Sequence, residues 1–194
     1  MLGQAPISEH VSRSLAFAEV AARGPTGLAV DLGSGAGIPG LVLACAWPYS
    51  TWALVDSNQR RTRWLQSTVE ELGFSRRVSV LCERAEVLGR GHLRHRACLV
   101  TARGFGPPGA TAECAAPFLQ PGGHLLVADP PANAPKRPER WPQEGLELLG
   151  LQLEGTSSVT TPAGPTSITS IVAKTPCPQQ YPRRNGLPAK RPLF

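Results

Sequence analysis

The stretch 28–40, LAVDLGSGAGIPG, constrains this chain more than any other. Leu28 to Leu32 are apolar apart from Asp31, which predicts a buried parallel strand. Gly33, Gly35 and Gly37 follow at alternate positions, and a helix is expected to begin near Pro39, whose missing N–H costs nothing in a first turn. Strand, glycine turn and helix together expose backbone N–H groups at the carboxyl edge of a sheet. Asp31, at the strand end, would repel a phosphate-type anion and welcome a ligand ammonium group.

The spacing separates two cofactors. A dinucleotide fingerprint counted from Gly33 needs a small residue at position 38, and this chain has Ile38. The order Gly33-Ser34-Gly35-Ala36-Gly37 behind an acid is instead the pattern of S-adenosylmethionine binding in class I methyltransferases. Asp56 ends a second strand, Thr51–Val55, about twenty residues on. A carboxylate there accepts both hydroxyls of a ribose, or it caps the helix that Ser57 and Asn58 introduce.

Further strands are expected at Arg77–Cys82, Ala97–Ala102 and His124–Ala128, with Leu151–Thr160 and Ser167–Lys174 as a closing hairpin. Helices are predicted over 1–23, with Ile7, Val11, Leu15, Ala18 and Ala22 as the apolar face and Ser8 as a cap; over about 39–46; and after Asn58. The inner face of the last is read as Trp64, Leu65, Thr68, Val69 and Leu72, with Gly73 closing it. Two more are expected near 109–119, before a Pro121-Gly122-Gly123 turn, and from Pro142 to Gly150; Asp129 to Arg140 reads as a proline-rich loop. Alternating elements closed by a hairpin indicate an α/β three-layer sandwich, Rossmann-like, mostly parallel with an antiparallel C-terminal hairpin. The organisation expected is a short N-terminal helix over 1–27, the binding domain over 28–174 and a basic, proline-rich tail over 175–194.

Glu83-Arg84-Ala85-Glu86 follows the third strand at the same sheet edge. It either flanks an adenine through the N–H groups of Ala85 and Glu86 and the Glu86 carboxylate, or is a solvated charge run. Arg103, after the fourth strand, stands where a substrate or the cofactor's carboxylate would arrive; its alternative is an ion pair with Asp31 or Glu86. Net charge is +6, which favours polyanionic partners. Arg60, Arg61, Arg63, Arg90, Arg94, Arg96 and the tail's Arg183, Arg184, Lys190 and Arg191 are candidate phosphate contacts. The tail has a second reading, a strap packed through Tyr181, Leu187 and Leu193. The five cysteines form no C-x-x-C pair and read as buried thiols of a reducing cytosol. His10, His92, His95 and His124 have no ligand spacing, so no metal is expected. No apolar run is long enough for a bilayer and no signal-peptide h-region is apparent, so a cytoplasmic location is expected.

DLGSGAGIPGLVLA, LVDSNQRRTRWLQ, ERAE, ARGF and YPRRNGLPAKRPL together resemble the RsmG (GidB) family, over about residues 28–128 and 181–193. The resemblance implies a class I methyltransferase acting on a guanine N7 of small-subunit ribosomal RNA, hence a ribosomal RNA or small-subunit partner. It implies cofactor contacts at Gly33, Ile38, Ala85, Glu86 and Arg103, with Asp56 on the ribose. Asp31, Ser34, Gly35, Gly37 and Ser57 belong to the same candidate cofactor set. The family carries a longer helical N-terminal region with an Asn-Leu-Thr segment, and a Leu-Lys-Gly where this chain reads Val127-Ala128-Asp129-Pro130-Pro131. These departures point to a shortened paralogue with another acceptor. The alternatives are a small-molecule methyltransferase whose acceptor pocket is lined by Phe105 and Trp141, and a paralogue that binds without catalysis. Guanine N7 has an exposed lone pair, so no general base is expected, and Arg103 is left a positioning role.

Overall fold

A computed structural model describes residues 5–130 and 140–194. Its centre is a seven-stranded sheet in the order β3-β2-β1-β4-β5-β7-β6. β1 (Leu28–Leu32), β2 (Thr51–Asp56), β3 (Val78–Cys82), β4 (Ala97–Arg103) and β5 (Leu119–Asp129) run parallel. β7 (Gly164–Ala173) and β6 (Leu151–Thr161) are antiparallel to their neighbours. The strand order reverses between β1 and β4, which opens a crevice at their carboxyl ends.

Side chains alternate across the sheet, so each strand feeds two cores. Val30, Leu32, Ala53 and Val55 face α4 (Ala85–Leu88), α5 (Pro108–Ala115), α6 (Gln143–Glu147) and the tail. Ala29 and Leu54 face α1 (Ile7–Ala21), α2 (Gly40–Ala46) and α3 (Gln59–Glu71). The architecture is the three-layer sandwich with an antiparallel C-terminal hairpin that the sequence predicts.

The faces of two helices depart from expectation. In α1 the stripe Ile7, Val11 and Leu15 is exposed, while Ser14, Ala16 and Phe17 are buried. Phe17 offers the largest apolar side chain, and Ser14 tolerates burial because its hydroxyl donates to the His10 carbonyl at 2.7 Å. The helix starts after Pro6, and Ser8 makes no cap. In α3, Thr62, Leu65 and Val69 turn inward; Trp64 and Leu72 are exposed. Thr62 hides its hydroxyl against the Asn58 and Gln59 carbonyls. Asn58 is the cap, its side chain accepting from the N–H groups of Arg60 and Arg61, and Gly73 closes the helix at φ +70°.

Three boundaries also shift. The region 109–119 is α5 followed by a 3₁₀ turn, Ala116–Phe118. β5 already begins at Leu119 opposite Ala97, bulges through Pro121-Gly122-Gly123, and resumes at His124 opposite Leu99. The tail contains a short helix, α7 (Leu187–Lys190). Of the cysteines only Cys114 and Cys177 are buried; Cys45 and Cys82 are exposed and Cys98 half-buried, so the uniform reading as buried thiols is corrected. Most of the expected 129–140 loop and residues 1–4 of the first helix lie outside the described residues.

Candidate functional site

The β1–α2 turn explains its own glycines. Gly33, Gly35 and Gly37 have φ of +67°, +54° and +82°, a region that L side chains rarely adopt. A methyl at Gly33 would meet the Phe105 ring at 2.9 Å. Ser34 ties the turn down: its N–H donates to the Val55 carbonyl at 3.0 Å and its hydroxyl to the Asp31 carbonyl at 3.0 Å. It is buried, so it holds the loop rather than facing outward.

Asp31 is fully buried and does not face a ligand's ammonium group. Its Oδ1 accepts from Thr101 at 2.8 Å and its Oδ2 from the Gly40 N–H at 3.1 Å. Burial raises its pKa to about 6, against the opposing hydrogen bonds from Thr101, Ser34 and Gly40. The sequence reading included Gly40 in its motif but gave it no role, and it sets the packing distance of α2. A methyl there would lie 2.6 Å from both Asp31 Cβ and Leu54 Cδ2. The requirement for a small residue, sought at position 38, falls at position 40.

At the carboxyl end of β2, Asp56 Oδ2 accepts from the Gly35 N–H at 3.0 Å and Oδ1 from the Asn58 N–H at 2.8 Å. Arg61 stands 3.6 Å away. This carboxylate lines a cavity of about 270 Å³ together with Gly33, Ser57, Ala85, Glu86 and Phe105. Five of the expected cofactor residues therefore converge: Gly33, Asp56, Ser57, Ala85 and Glu86. Asp31, Ser34, Gly35, Gly37 and Ile38 build the turn behind them without lining the cavity. The sequence reading missed Cys114 and Ala189, which also line it. Cys114 carries no nucleophile, because burial, then Glu86 and Glu113, push its thiol far above the ordinary range.

Arg103 makes neither expected ion pair. Its guanidinium donates to the His10 carbonyl at 3.2 Å and lies 3.0 Å from His10 Nδ1. It lines a neighbouring cavity of about 350 Å³, and Gly104, Phe105 and Gly106 form the wall between the two.

The tail is a strap. Tyr181, Leu193 and Phe194 pack against the core, and Pro182 and Pro188 are buried. Arg183 donates through Nε and Nη2 to the fully buried Glu113, at 2.9 and 2.6 Å, and its N–H donates to the same carboxylate at 2.7 Å. Arg183 is thus engaged within the protein, by Glu113. Arg90 and Arg94 are likewise engaged within the protein: they donate to tail carbonyls at Pro182, Tyr181 and Cys177. Glu86 accepts from the Gly186 N–H at 2.8 Å, so its carboxylate is engaged by the tail. Arg184, Lys190 and Arg191 remain exposed.

Among the described residues no cluster of three His, Cys, Asp or Glu is placed to hold a metal. None of the described helices is long and apolar enough to cross a membrane.

A glycine-rich turn beneath an acidic strand end is shared by many sheets of this architecture, so comparison with known proteins decides the family. The family model for GidB, rRNA small subunit methyltransferase G, matches residues 4–131. The chain belongs to this family. A Prochlorococcus marinus protein named ribosomal RNA small subunit methyltransferase G is 36% identical over 167 residues, covering 84% of this chain and 65% of the relative. One of the same name from Chloroflexus aggregans is 35% identical over 191 residues, covering 97% and 79%. The chain spans about two thirds of the length of the first relatives it matches. Among solved structures, the antibiotic-resistance methyltransferase Kmr aligns with a TM-score of 0.59 at 17% identity, covering 81% of this chain and 92% of its own. The Synechocystis magnesium protoporphyrin IX methyltransferase with bound SAM aligns at 0.62 and 16%, covering 89% and 86%. At such identities these structures share the fold, the class I methyltransferase sandwich.

Proposed function

We propose that this chain transfers a methyl group from S-adenosylmethionine to a guanine N7 of small-subunit ribosomal RNA. The observation that carries it is the cavity at the β1–β2–β4 edge, with the Asp56 carboxylate aimed by two backbone N–H groups, in a chain of this family. The residues fit the cofactor. Asp56 keeps lone pairs beyond those given to Gly35 and Asn58, and these suit ribose hydroxyls. The N–H groups of Ala85 and Glu86, at the start of α4, suit an adenine edge. S-adenosylmethionine, when bound, supplies an electrophilic methyl on a sulfonium sulfur.

What the chain adds is orientation and exclusion of water. The N7 lone pair needs no proton removed, so no general base is required. Gly104, Phe105 and Gly106 line both the donor cavity and its neighbour, which supports an acceptor base approaching beside Phe105.

The test has two parts. Calorimetry is expected to show micromolar affinity for S-adenosylmethionine and none of use for NAD. Labelled methyl is then expected to pass to small ribosomal subunits, at a base cleavable as 7-methylguanosine; tighter NAD binding, or no transfer to the subunit, overturns the proposal. Asp56→Ala should weaken S-adenosylmethionine by about 1–3 kcal/mol, the cost of hydroxyls left unpaired in a buried site. Unchanged affinity would reduce Asp56 to a loop anchor.

A further inference from the structure

Arg103 ends β4 immediately before Gly104 and Phe105, which line both cavities. The family resemblance implies that this arginine meets the cofactor, and a long side chain does so in one geometry only if its guanidinium is held. No carboxylate among the described residues lies within ion-pair distance of it. Burial, then the charge of Arg13, disfavours its charged form, and the Asp31 carboxylate opposes them. What holds the guanidinium is one residue of α1, 93 positions away in the chain. The His10 carbonyl accepts from Nη1 at 3.2 Å, and ring Nδ1 lies 3.0 Å from Nη2. A guanidinium can only donate, so Nδ1 presents its lone pair and the ring proton sits on Nε2. Nε2 is buried without a hydrogen-bond partner among the described residues. A side chain placed there for packing alone would be better apolar, because leucine fills the space without a buried, unpaired N–H. Among the described residues, the one hydrogen bond this ring makes is the bond to Arg103.

We infer that His10 is a positioning residue for the donor site, fixing the Arg103 guanidinium from α1 so that its remaining N–H groups are set for the cofactor. The inference rests on the proposed use of S-adenosylmethionine. His10 takes two of the five guanidinium N–H bonds and leaves three, enough for a bidentate bond to a carboxylate. The methionine end of the cofactor carries such a group. Without His10 the arginine side chain spreads over its rotamers, and the lost ordering is charged against binding instead. On this reading α1, set apart over 1–27 in the sequence reading, supplies part of the binding edge.

The experiment uses the full chain and three variants at one position. Asparagine carries its amide oxygen as many bonds from Cα as Nδ1, glutamine one bond further out, where Nε2 lies, and leucine carries no acceptor. By calorimetry, S-adenosylmethionine affinity is expected to fall about tenfold in His10→Leu and His10→Gln and to stay within about threefold of wild type in His10→Asn. The melting temperature of His10→Leu should hold within about 2 °C, since the variant removes a buried, unpaired N–H. In an Arg103→Gln background, His10→Leu should weaken the cofactor by less than about twofold more, because the group it positions is gone. Without cofactor, imidazole ¹⁵N shifts should show the ring proton of wild-type His10 on Nε2. Equal affinity in wild type and His10→Leu overturns the inference. So does an equal loss in His10→Asn and His10→Leu, a tenfold loss that persists in the Arg103→Gln background, or a ring proton on Nδ1. Each of these leaves the proposed function standing, whereas a wild-type chain that binds no S-adenosylmethionine overturns that function and this inference together.

Discussion

Asp31 places a carboxylate where no water reaches it, and this has a measurable cost. Its pKa of about 6 lies above the value of 3.8 expected in the unfolded chain. Between those two values the folded state binds more protons than the unfolded one, so stability falls as pH rises from about 4 to 6. Above pH 6 the ionised group stays a net burden of about 3 kcal/mol relative to its protonated form. Unfolding by urea at pH 5 and pH 7 should therefore show the chain more stable at pH 5 by about 1–2 kcal/mol from this group. Asp31→Asn should shrink that difference, because an amide keeps an acceptor for Gly40 and a donor toward Thr101 without ionising. An identical pH dependence in the variant would mean that other groups set it. Asp31, Asp56 and the glycines were all legible in the sequence, because a carboxylate at a strand end and glycines at alternate positions are rare enough to be informative. Their division of labour was not: Asp31 turns inward and Asp56 faces the cavity, and the sequence placed both at the same sheet edge.

Among the elements, α2 shows how a helix is brought close enough to shape a binding edge. Gly40 at its first position lets the helix rest on β1 and β2 and lets its N–H reach Asp31. Gly40→Ala would force a methyl to 2.6 Å from Asp31 Cβ and Leu54 Cδ2, both anchored in the sheet. The helix must then lift, and the expected loss is about 1–3 kcal/mol, read as a lower urea midpoint with unchanged slope. A variant as stable as wild type would show that α2 has slack the packing does not suggest. The first four strands were read nearly to the residue because buried parallel strands are short apolar runs bounded by glycine and charge; β5 begins five residues early because its bulge hides in a Pro-Gly-Gly turn. Helix faces were harder. In α1 two stripes compete, Ile7–Val11–Leu15 and Ser14–Phe17, and hydropathy favours the wrong one. One large aromatic and a serine that bonds its own helix won the buried face, a choice the partner surface makes and periodicity does not reveal.

At the scale of the molecule, the tail closes the side of the sheet that carries the donor cavity. Its cations resembled an RNA-binding segment because the partner of Arg183, Glu113, lies 70 residues away on α5, and no local pattern announces such a pair. Glu113 is fully buried, and removing the guanidinium leaves its charge compensated only by the main-chain N–H of residue 183, a loss of about 3–5 kcal/mol. At roughly 2–4 °C per kcal/mol for a chain of this size, Arg183→Ala should lower the melting temperature by about 6–20 °C. Arg184→Ala, one residue along, changes an exposed side chain and should move it by less than about 2 °C. Deleting residues 179–194 should reproduce the Arg183→Ala loss and also weaken S-adenosylmethionine, because Ala189 lines the donor cavity and Gly186 holds Glu86 beside it. Adding Glu113→Gln to the deletion should recover part of the stability, since the orphaned charge is gone, but not the affinity, since the cavity wall is still missing. A deletion that leaves both melting temperature and cofactor affinity unchanged, while lowering only the salt slope for RNA, would return the tail to an RNA-binding role.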